Sequence, residues 1–484
     1  MPALLAVLAV AVTLLPTPGA PGAVQERTIR GSHQPLALLG LVVGSHIRVS
    51  AKAAHVGGRP VGQAAPTSVV RKIAVAVSTF GKDSSCTRGV HPAPCASFGR
   101  AYQLARCGDI IGVEPGSYPA QRIGYDGRKT CTNAAVLLRP SRGTVSVRSP
   151  DCTPRPNQCT ALVLGNDVTD VGAPSGLTVR GIRIRGDVEV YGNGGSQGDH
   201  LTLDHITGGG GVVSDATHFV LSNSRMGGCQ NDDYSPHKTP CDNNFIFASQ
   251  DDGYATTARL VHDTFHDFTK RTVDSHFECL FILDVTTVVV EDSRFYNCME
   301  AGIQLEYRET PRSVLIQNNW FGQTSDENGD SRECNAIRLS SNDGSQTNTL
   351  IRYNSFAHGQ GVISSSGTPT SGVRMIGNLF GLDPTADCAT GRVGFSGAVY
   401  DSNVWERHRY GGNSRTVSNI SRLYVNGSDL AQGNYHLIRH KTVADGLVNR
   451  TSADYKLLRD RDGHRRTGPW NAGADQRTPA QRRR

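Results

Sequence analysis

Between Lys270 and Glu278 the chain gathers side chains that can take, give or offset a proton: Lys270-Arg271-Thr-Val-Asp274-Ser-His276-Phe-Glu278. Lys270, Arg271 and His276 are candidate general bases or charge neutralisers, and Arg338, further along, can serve in the same way. Asp274, Glu278 and Glu306 offer carboxylate oxygens suited to a hard cation such as Ca²⁺ or to the hydroxyls of a substrate. A hydrolytic reading needs two carboxylates about 5 to 10 Å apart, and Glu278 and Glu306 are the candidate pair. Each residue also has a plain structural use: His276 could cap a turn, and Glu306 could pair with Arg338. Asp251-Asp252-Gly253 reads first as a turn, and the acidic loop Asp326–Asp330 does not match the spacing of a known calcium loop.

What positions these residues is a set of short strands. Cys279–Leu283, Gly302–Glu306 and Ala336–Ser340 alternate with period two. Leu280/Ile282, Ile303/Leu305 and Ile337/Leu339 form a face to be buried. Phe281/Leu283, Gln304/Glu306 and Arg338/Ser340 form the opposite face. Between these strands runs a repeated phrase: an apolar run, then a small polar residue two positions before a Phe. The Phe residues are Phe265, Phe295, Phe321, Phe356 and Phe380, spaced 30, 26, 35 and 24 apart, and the polar residues are Asp263, Ser293, Asn319, Asn354 and Asn378. A recurring unit of this size marks a solenoid.

The linking segments are too polar to be the amphipathic crossover helices of a doubly wound sheet. The remaining arrangement is an all-β parallel β-helix in which each strand stacks on its equivalent one repeat earlier. The Phe residues then stack inside, and the Asn residues form a hydrogen-bonded ladder at a turn. Weaker copies at Leu177–Ile184, Leu201–Ile206 and Phe219–Met226 extend the coil upstream, so that it spans about Leu162 to Trp405. In that register Phe281, Gln304/Glu306 and Arg338 share one outward column, and side chains about 4.8 Å apart on adjacent coils can converge on one sugar ring.

The chain has 484 residues, 54 of them Gly, and only 6% aromatic residues, which fits a turn-rich β protein. The apolar run Leu4–Leu15, or a second run Leu36–Val43 preceded by Arg27 and Arg30, reads as an export signal. Neither is long enough to span a membrane. We therefore expect an export signal and leader over 1–69, an N-terminal cap and first coils over 70–161, the β-helix over 162–405, and last coils, a cap and a basic tail over 406–484. The twelve Cys residues show no zinc-ligand spacing, so disulfides are favoured. Local pairing is expected for Cys86/Cys95, Cys152/Cys159 and Cys229/Cys241, with Cys279, Cys298, Cys334 and Cys388 left open. The formal charge of +7 resides in residues 439–484, which hold twelve Lys/Arg against five Asp/Glu; the rest holds 38 of each. Such an end is more often solvated than functional, and no nucleic-acid-binding module accompanies it.

Two stretches carry a resemblance. Thr79-Phe-Gly-Lys-Asp83-Ser-Ser-Cys86, Pro94-Cys95-Ala-Ser97-Phe98, Cys107-Gly108-Asp109-Ile-Ile and Pro115-Gly116-Ser-Tyr118 resemble the N-terminal segment of secreted bacterial right-handed parallel β-helix proteins of the pectate-lyase-like superfamily. Asp454-Tyr-Lys-Leu457, Asp462-Gly463, Arg466 and Ala472-Gly473-Ala474-Asp475 are similar to the closing motif of the same group. The resemblance implies a capping helix near Ser97–Cys107, secretion, and an extracellular polysaccharide as partner, with the chain acting as a monomer. It leaves the reaction open among lyase, hydrolase, epimerase and non-catalytic binder. In the lyases of this group a base removes the C5 proton of a uronate, a cation or donor neutralises its carboxylate, and the leaving oxygen is protonated. Here Lys270, Arg271, His276 and Glu278 are the expected catalytic set. Asp274, Gln304, Glu306 and Arg338 are expected to place substrate, with Ca²⁺ the only cofactor considered. Asp274 and His276 also weakly match the Asp-Pro-His-Glu motif of β-helical epimerases.

Overall fold

A computed structural model describes the chain from residue 72 to residue 474, except for 150–159, 166–172, 192–199, 228–244, 249–256, 269–277, 308–312, 326–334, 342–347, 365–369, 383–386, 393–396, 430–433, 439–441, 449–458, 467–470 and a few shorter gaps. The compact unit runs from Val69 to Arg484. Among the described residues the repeat becomes three strands per coil, and equivalent strands of successive coils pair in parallel to give three long sheets. The architecture is the right-handed parallel β-helix that the resemblance implies, with the hand that parallel crossovers take.

One coil shows how the sequence produces this. Thr257–Val261 in the first sheet is followed by a two-residue turn, His262-Asp263, then by Thr264–Phe268 in the second sheet. After a longer connection Leu280–Leu283 lies in the third. The turn needs a left-handed residue, and His262, Asp292, Asn318, Tyr353 and Ser402 all have φ between 54° and 60°. The next residue is fully buried and forms the ladder. The Asp263 carboxylate accepts from Ser224 N at 2.8 Å. Ser293 N donates to Asn319 Oδ1 at 2.8 Å, and Asn319, Asn354 and Asn378 each repeat that contact with the next Asn at 2.8–2.9 Å. Each Asn amide also donates to a strand carbonyl one coil earlier, for example Asn354 to Ile316. The ladder thus satisfies turn groups that the sheets leave over, and it extends beyond the expected residues to Asn403 and Ser414.

Inside, the rings of Phe265, Phe295, Phe321, Phe356 and Phe380 stack with centroids 4.9–5.1 Å apart, and Trp405 closes the stack at 4.2 Å. The coil also starts earlier than the legible repeats. Ile73–Val77 pairs with Ile110–Val113, which pairs with Val136–Pro140, and only then comes Leu177–Arg180. The one α-helix among the described residues is Phe98–Leu104, shorter than expected. Ser97 caps it, and Phe98, Ala101 and Tyr102 are buried. No helix among the described residues is long and apolar enough to cross a membrane.

Cys86 and Cys95 form the expected local disulfide. Cys279, whose partner the sequence left open, joins Cys298, and Cys107 joins Cys131. Cys152, Cys159, Cys229, Cys241 and Cys334 lie outside the described residues.

Candidate functional site

The third sheet carries the outward residues singled out from the sequence. Strand pairing puts Phe281 beside Gln304 and Gln304 beside Arg338; in the next outward column Leu283 pairs with Glu306 and Glu306 with Ser340. Their inward neighbours Leu280, Ile282, Ile303, Leu305, Ile337 and Leu339 have no exposed surface, as expected of the inner face, while on the outward face Phe281 and Gln304 are buried as well. Gln304 Nε2 and Ser340 Oγ both donate to Glu306 Oε2, at 3.2 and 3.3 Å. Arg338 lies 3.9 Å from Glu300, both half-buried, and so the anticipated pairing of Glu306 with Arg338 gives way to these contacts.

Glu278 lies two residues before the strand Leu280–Leu283 and is fully buried beside Cys279. Lys270, Arg271, Asp274 and His276 lie outside the described residues, as do Asp251 to Gly253 and Asp326 to Asp330. The described oxygens near Glu306 fall short of a calcium site, which takes six to eight of them. Gln304 Oε1 is buried without a hydrogen-bond partner among the described residues, but it adds a single oxygen to those of Glu306 and Ser340. The one cluster of metal-type side chains among the described residues is Asp83, Cys86 and Cys95, whose sulfurs are joined in a disulfide. We route no step through a metal.

The second sheet holds an assembly that the sequence reading missed. Its outward column runs Arg183, Thr207, Arg225, Thr264, Arg294, Trp320, Ser355, Leu379, Val404. At the N-terminal end a cavity of about 350 Å³ is lined by Arg183, Thr207, Arg225, Gly227 and His266, among others. His266 is fully buried, its Nδ1 2.6 Å from Asp267 Oδ2, while Arg225 Nε donates to its Nε2 at 2.7 Å. Because arginine can only donate, His266 Nε2 accepts from it, and Nδ1 faces the Asp267 carboxylate as the donor. Asn297 donates to the other oxygen of Asp267 at 2.6 Å. Burial opposes ionisation of Asp267, but the hydrogen bonds from His266 and Asn297 outweigh it and hold the carboxyl below its ordinary value. Tyr296 stacks on His266 at 5.2 Å, and burial raises its phenol.

The signal was present in the repeated phrase. The outward column is the residue between the ladder position and the Phe: Ser224-Arg225-Met226, Asp263-Thr264-Phe265, Ser293-Arg294-Phe295, Asn319-Trp320-Phe321. His266 and Tyr296 follow the Phe directly. Alignment on the Phe gave the ladder and the interior; the residue between them was the unread column.

At the C-terminal end the same column is covered by the chain itself. Trp320, Leu379 and Val404 pack with Leu423, Tyr424, Tyr435, Ala472 and Ala474. Arg461 lies over the Trp320 ring at 4.1 Å, and burial pulls its guanidinium below the ordinary value. Arg466 is buried over the Tyr353 ring and donates to Asn318 Oδ1 at 3.0 Å and to the Gly473 carbonyl at 2.9 Å. Gly473 has φ +89°, and a Cβ there would stand 2.5 Å from Leu379 Cδ1, so this close approach requires glycine. The basic C-terminal segment is therefore in part a packed cover and not simply a solvated tail. Burial pushes the Asp292 carboxyl beneath it up to about 7, aided by Glu291 and opposed by Asn318, Arg461 and Arg466.

No family model matches the chain, and no curated protein matches it significantly. Several solved structures share the chain trace. One is a complex of XylC with xylose, at TM-score 0.43 and 9% identity over 70% of this chain and 76% of that one. Pectate lyase Pel9A matches at TM-score 0.40 and 14% identity over 84% and 96%. A GH136 lacto-N-biosidase from Eubacterium ramulus matches at 0.33 and 13% over 71% and 66%. At such scores and identities these likenesses carry no argument about reaction or substrate.

Proposed function

We propose that the chain is a secreted, carbohydrate-active β-helix protein, and a polysaccharide lyase that cleaves uronic-acid-containing polymers by β-elimination. The observation that supports it best is the outward register of the third sheet. Arg338, Gln304 and Glu306 stand on adjacent coils about 4.8 Å apart, on the strands that follow the Lys270–Glu278 segment. Disulfides among the described residues accord with an oxidising, extracellular setting.

In this reading Lys270 or Arg271, or His276, takes the C5 proton of a bound uronate. The electron pair forms the C4–C5 double bond, the C4–oxygen bond breaks, and the leaving oxygen is protonated. Arg338 offsets the charge that grows on the uronate carboxylate, and Gln304 and Glu306 hold ring hydroxyls. Glu278, fully buried just before the strand Leu280–Leu283, stands with Lys270, Arg271 and His276 in the candidate catalytic set.

The test is incubation of the protein with a panel of uronic polymers, with and without calcium, while the ultraviolet absorbance of unsaturated uronates is followed. The lyase reading expects a rise that Arg338→Gln abolishes. Reducing ends without that absorbance would mean a hydrolase, and retention on a polysaccharide column without turnover a binding module.

A further inference from the structure

The open, N-terminal half of the second sheet's outward column is separate from the third-sheet face described above. Two guanidinium groups, Arg183 and Arg225, flank the exposed Thr207 hydroxyl in strand register, so their Cα atoms are about 9–10 Å apart across two coil steps. Arg225 is exposed. Its Nε is tied to His266, and its terminal nitrogens have no hydrogen-bond acceptor among the described residues. That tie matters because an arginine side chain loses substantial rotamer freedom when it binds; anchoring the ε edge on a buried imidazole, itself fixed by Asp267, sets the terminal edge in advance. The next outward position on the Arg225 strand is Gly227, in register with His266 and Tyr296. The outward stack of rings thus stops at a residue without a side chain, and the cavity opens there. Its volume, about 350 Å³, lies at the lower end of the range for small-molecule sites, which suits a sugar unit rather than a folded partner.

We infer that this cavity is a binding subsite for an acidic glycan chain. Arg183 and Arg225 pair with carboxylates on the sugar chain, the Thr207 hydroxyl lies between them, and the His266–Asp267 pair acts as the positioning group for Arg225. Guanidinium favours carboxylate through paired, parallel hydrogen bonds. The inference rests on the reading that the chain handles uronic polymers and gives that reading a second contact region, away from the third sheet. Sulfate esters share the oxyanion chemistry; the uronate carboxylate is the one proposed.

The experiment is calorimetric titration of the full chain with short oligouronates, with the same oligomers after reduction of their carboxyls to alcohols, and with a sulfated neutral oligosaccharide of equal length. The wild type should bind the oligouronate and lose most of that affinity for the reduced form. The double variant Arg183→Gln/Arg225→Gln should lose at least about tenfold in affinity for the oligouronate, and Arg225→Lys, which keeps the charge but not the fork, should lose part of it. The unfolding midpoint of each variant shows that the coil is intact. Equal oligouronate affinity in wild type and double variant overturns the inference, whatever turnover is found. Tighter binding of the sulfated oligomer overturns the carboxylate assignment. Arg-dependent binding without any lyase product would sink the β-elimination reading and leave the subsite standing.

Discussion

The two halves of the second sheet's outward face share one register and opposite fates. From Trp320 through Ser355, Leu379 and Val404 the column is buried under residues 420–474, which return along the coil. From Arg183 through Thr207 and Arg225 it is polar, and it borders a cavity. A solenoid coil supplies an outward side chain at every step, and nothing in the backbone makes one half different. The difference lies in the side chain placed between ladder and Phe, and in whether another part of the chain has apolar surface to cover it. Apolar column residues are covered by the chain itself, which stabilises the end of the coil. Arg225, with a buried imidazole behind it, is left for something charged to cover.

If the covered half is a stability device, Trp320→Ala should show the largest effect. Removal of a buried indole packed against Tyr435, His436 and Arg461 is expected to cost about 3–5 kcal/mol, read as a lowered denaturant midpoint. Next comes Arg466→Ala, which leaves Asn318 Oδ1 and the Gly473 carbonyl without their donor under the cover. A loss of about 2–3 kcal/mol is expected, with oligouronate binding at the other end unaltered; a parallel loss of binding would show that the two halves are not independent.

Asp292 gives a pH-dependent measure of the covered half. Its folded pKa, about 7, lies above the ordinary 3.8, so the fold favours the protonated form. Its contribution is fully present below about pH 4 and is lost as pH rises through about 7. Asp292→Asn should therefore stabilise the protein at pH 8 by on the order of 2 kcal/mol and change little at pH 4, as measured by denaturant unfolding at both values. Asn is also tolerated at the left-handed φ of 55° found there. A pH-independent effect would mean that the carboxyl is ionised throughout.

The smallest stability effect belongs to the open half. Arg225→Gln is expected to cost about 1 kcal/mol, since the residue is exposed but donates to buried His266 Nε2, while its main effect is read in ligand affinity. A loss of several kcal/mol would make Arg225 a structural residue and remove the contrast.

Much of the scaffold was legible because each coil must repeat its constraints. A two-residue turn between packed sheets needs a small polar residue that can bond along the stack, and the interior needs a ring that stacks on its copies. Asp263, Ser293, Asn319, Asn354 and Asn378, and the five Phe residues, could be read from spacing alone. The outward Gln304, Glu306 and Arg338 followed from parity within their strands. Glu278 lies just before the regular alternation, where strand parity does not say which face a side chain takes. Cys279 and Cys298 could not be paired from sequence because their proximity depends on how the second sheet's strand and the third sheet's strand approach each other.

The sequence by itself determined the coil, its ladder and its interior stack, since these depend on the same residue type recurring at the same point of each turn. The tertiary structure alone decided which outward residues meet and which remain open. Arg225, His266 and Asp267 become one assembly only because stacking brings positions some 40 residues apart to within 2.7 Å. Trp320 and Leu379 are buried only because a segment that begins more than 40 residues downstream of Leu379, and about 100 downstream of Trp320, folds back over them. Local periodicity fixes which way a side chain points, but what covers it depends on where the rest of the chain goes.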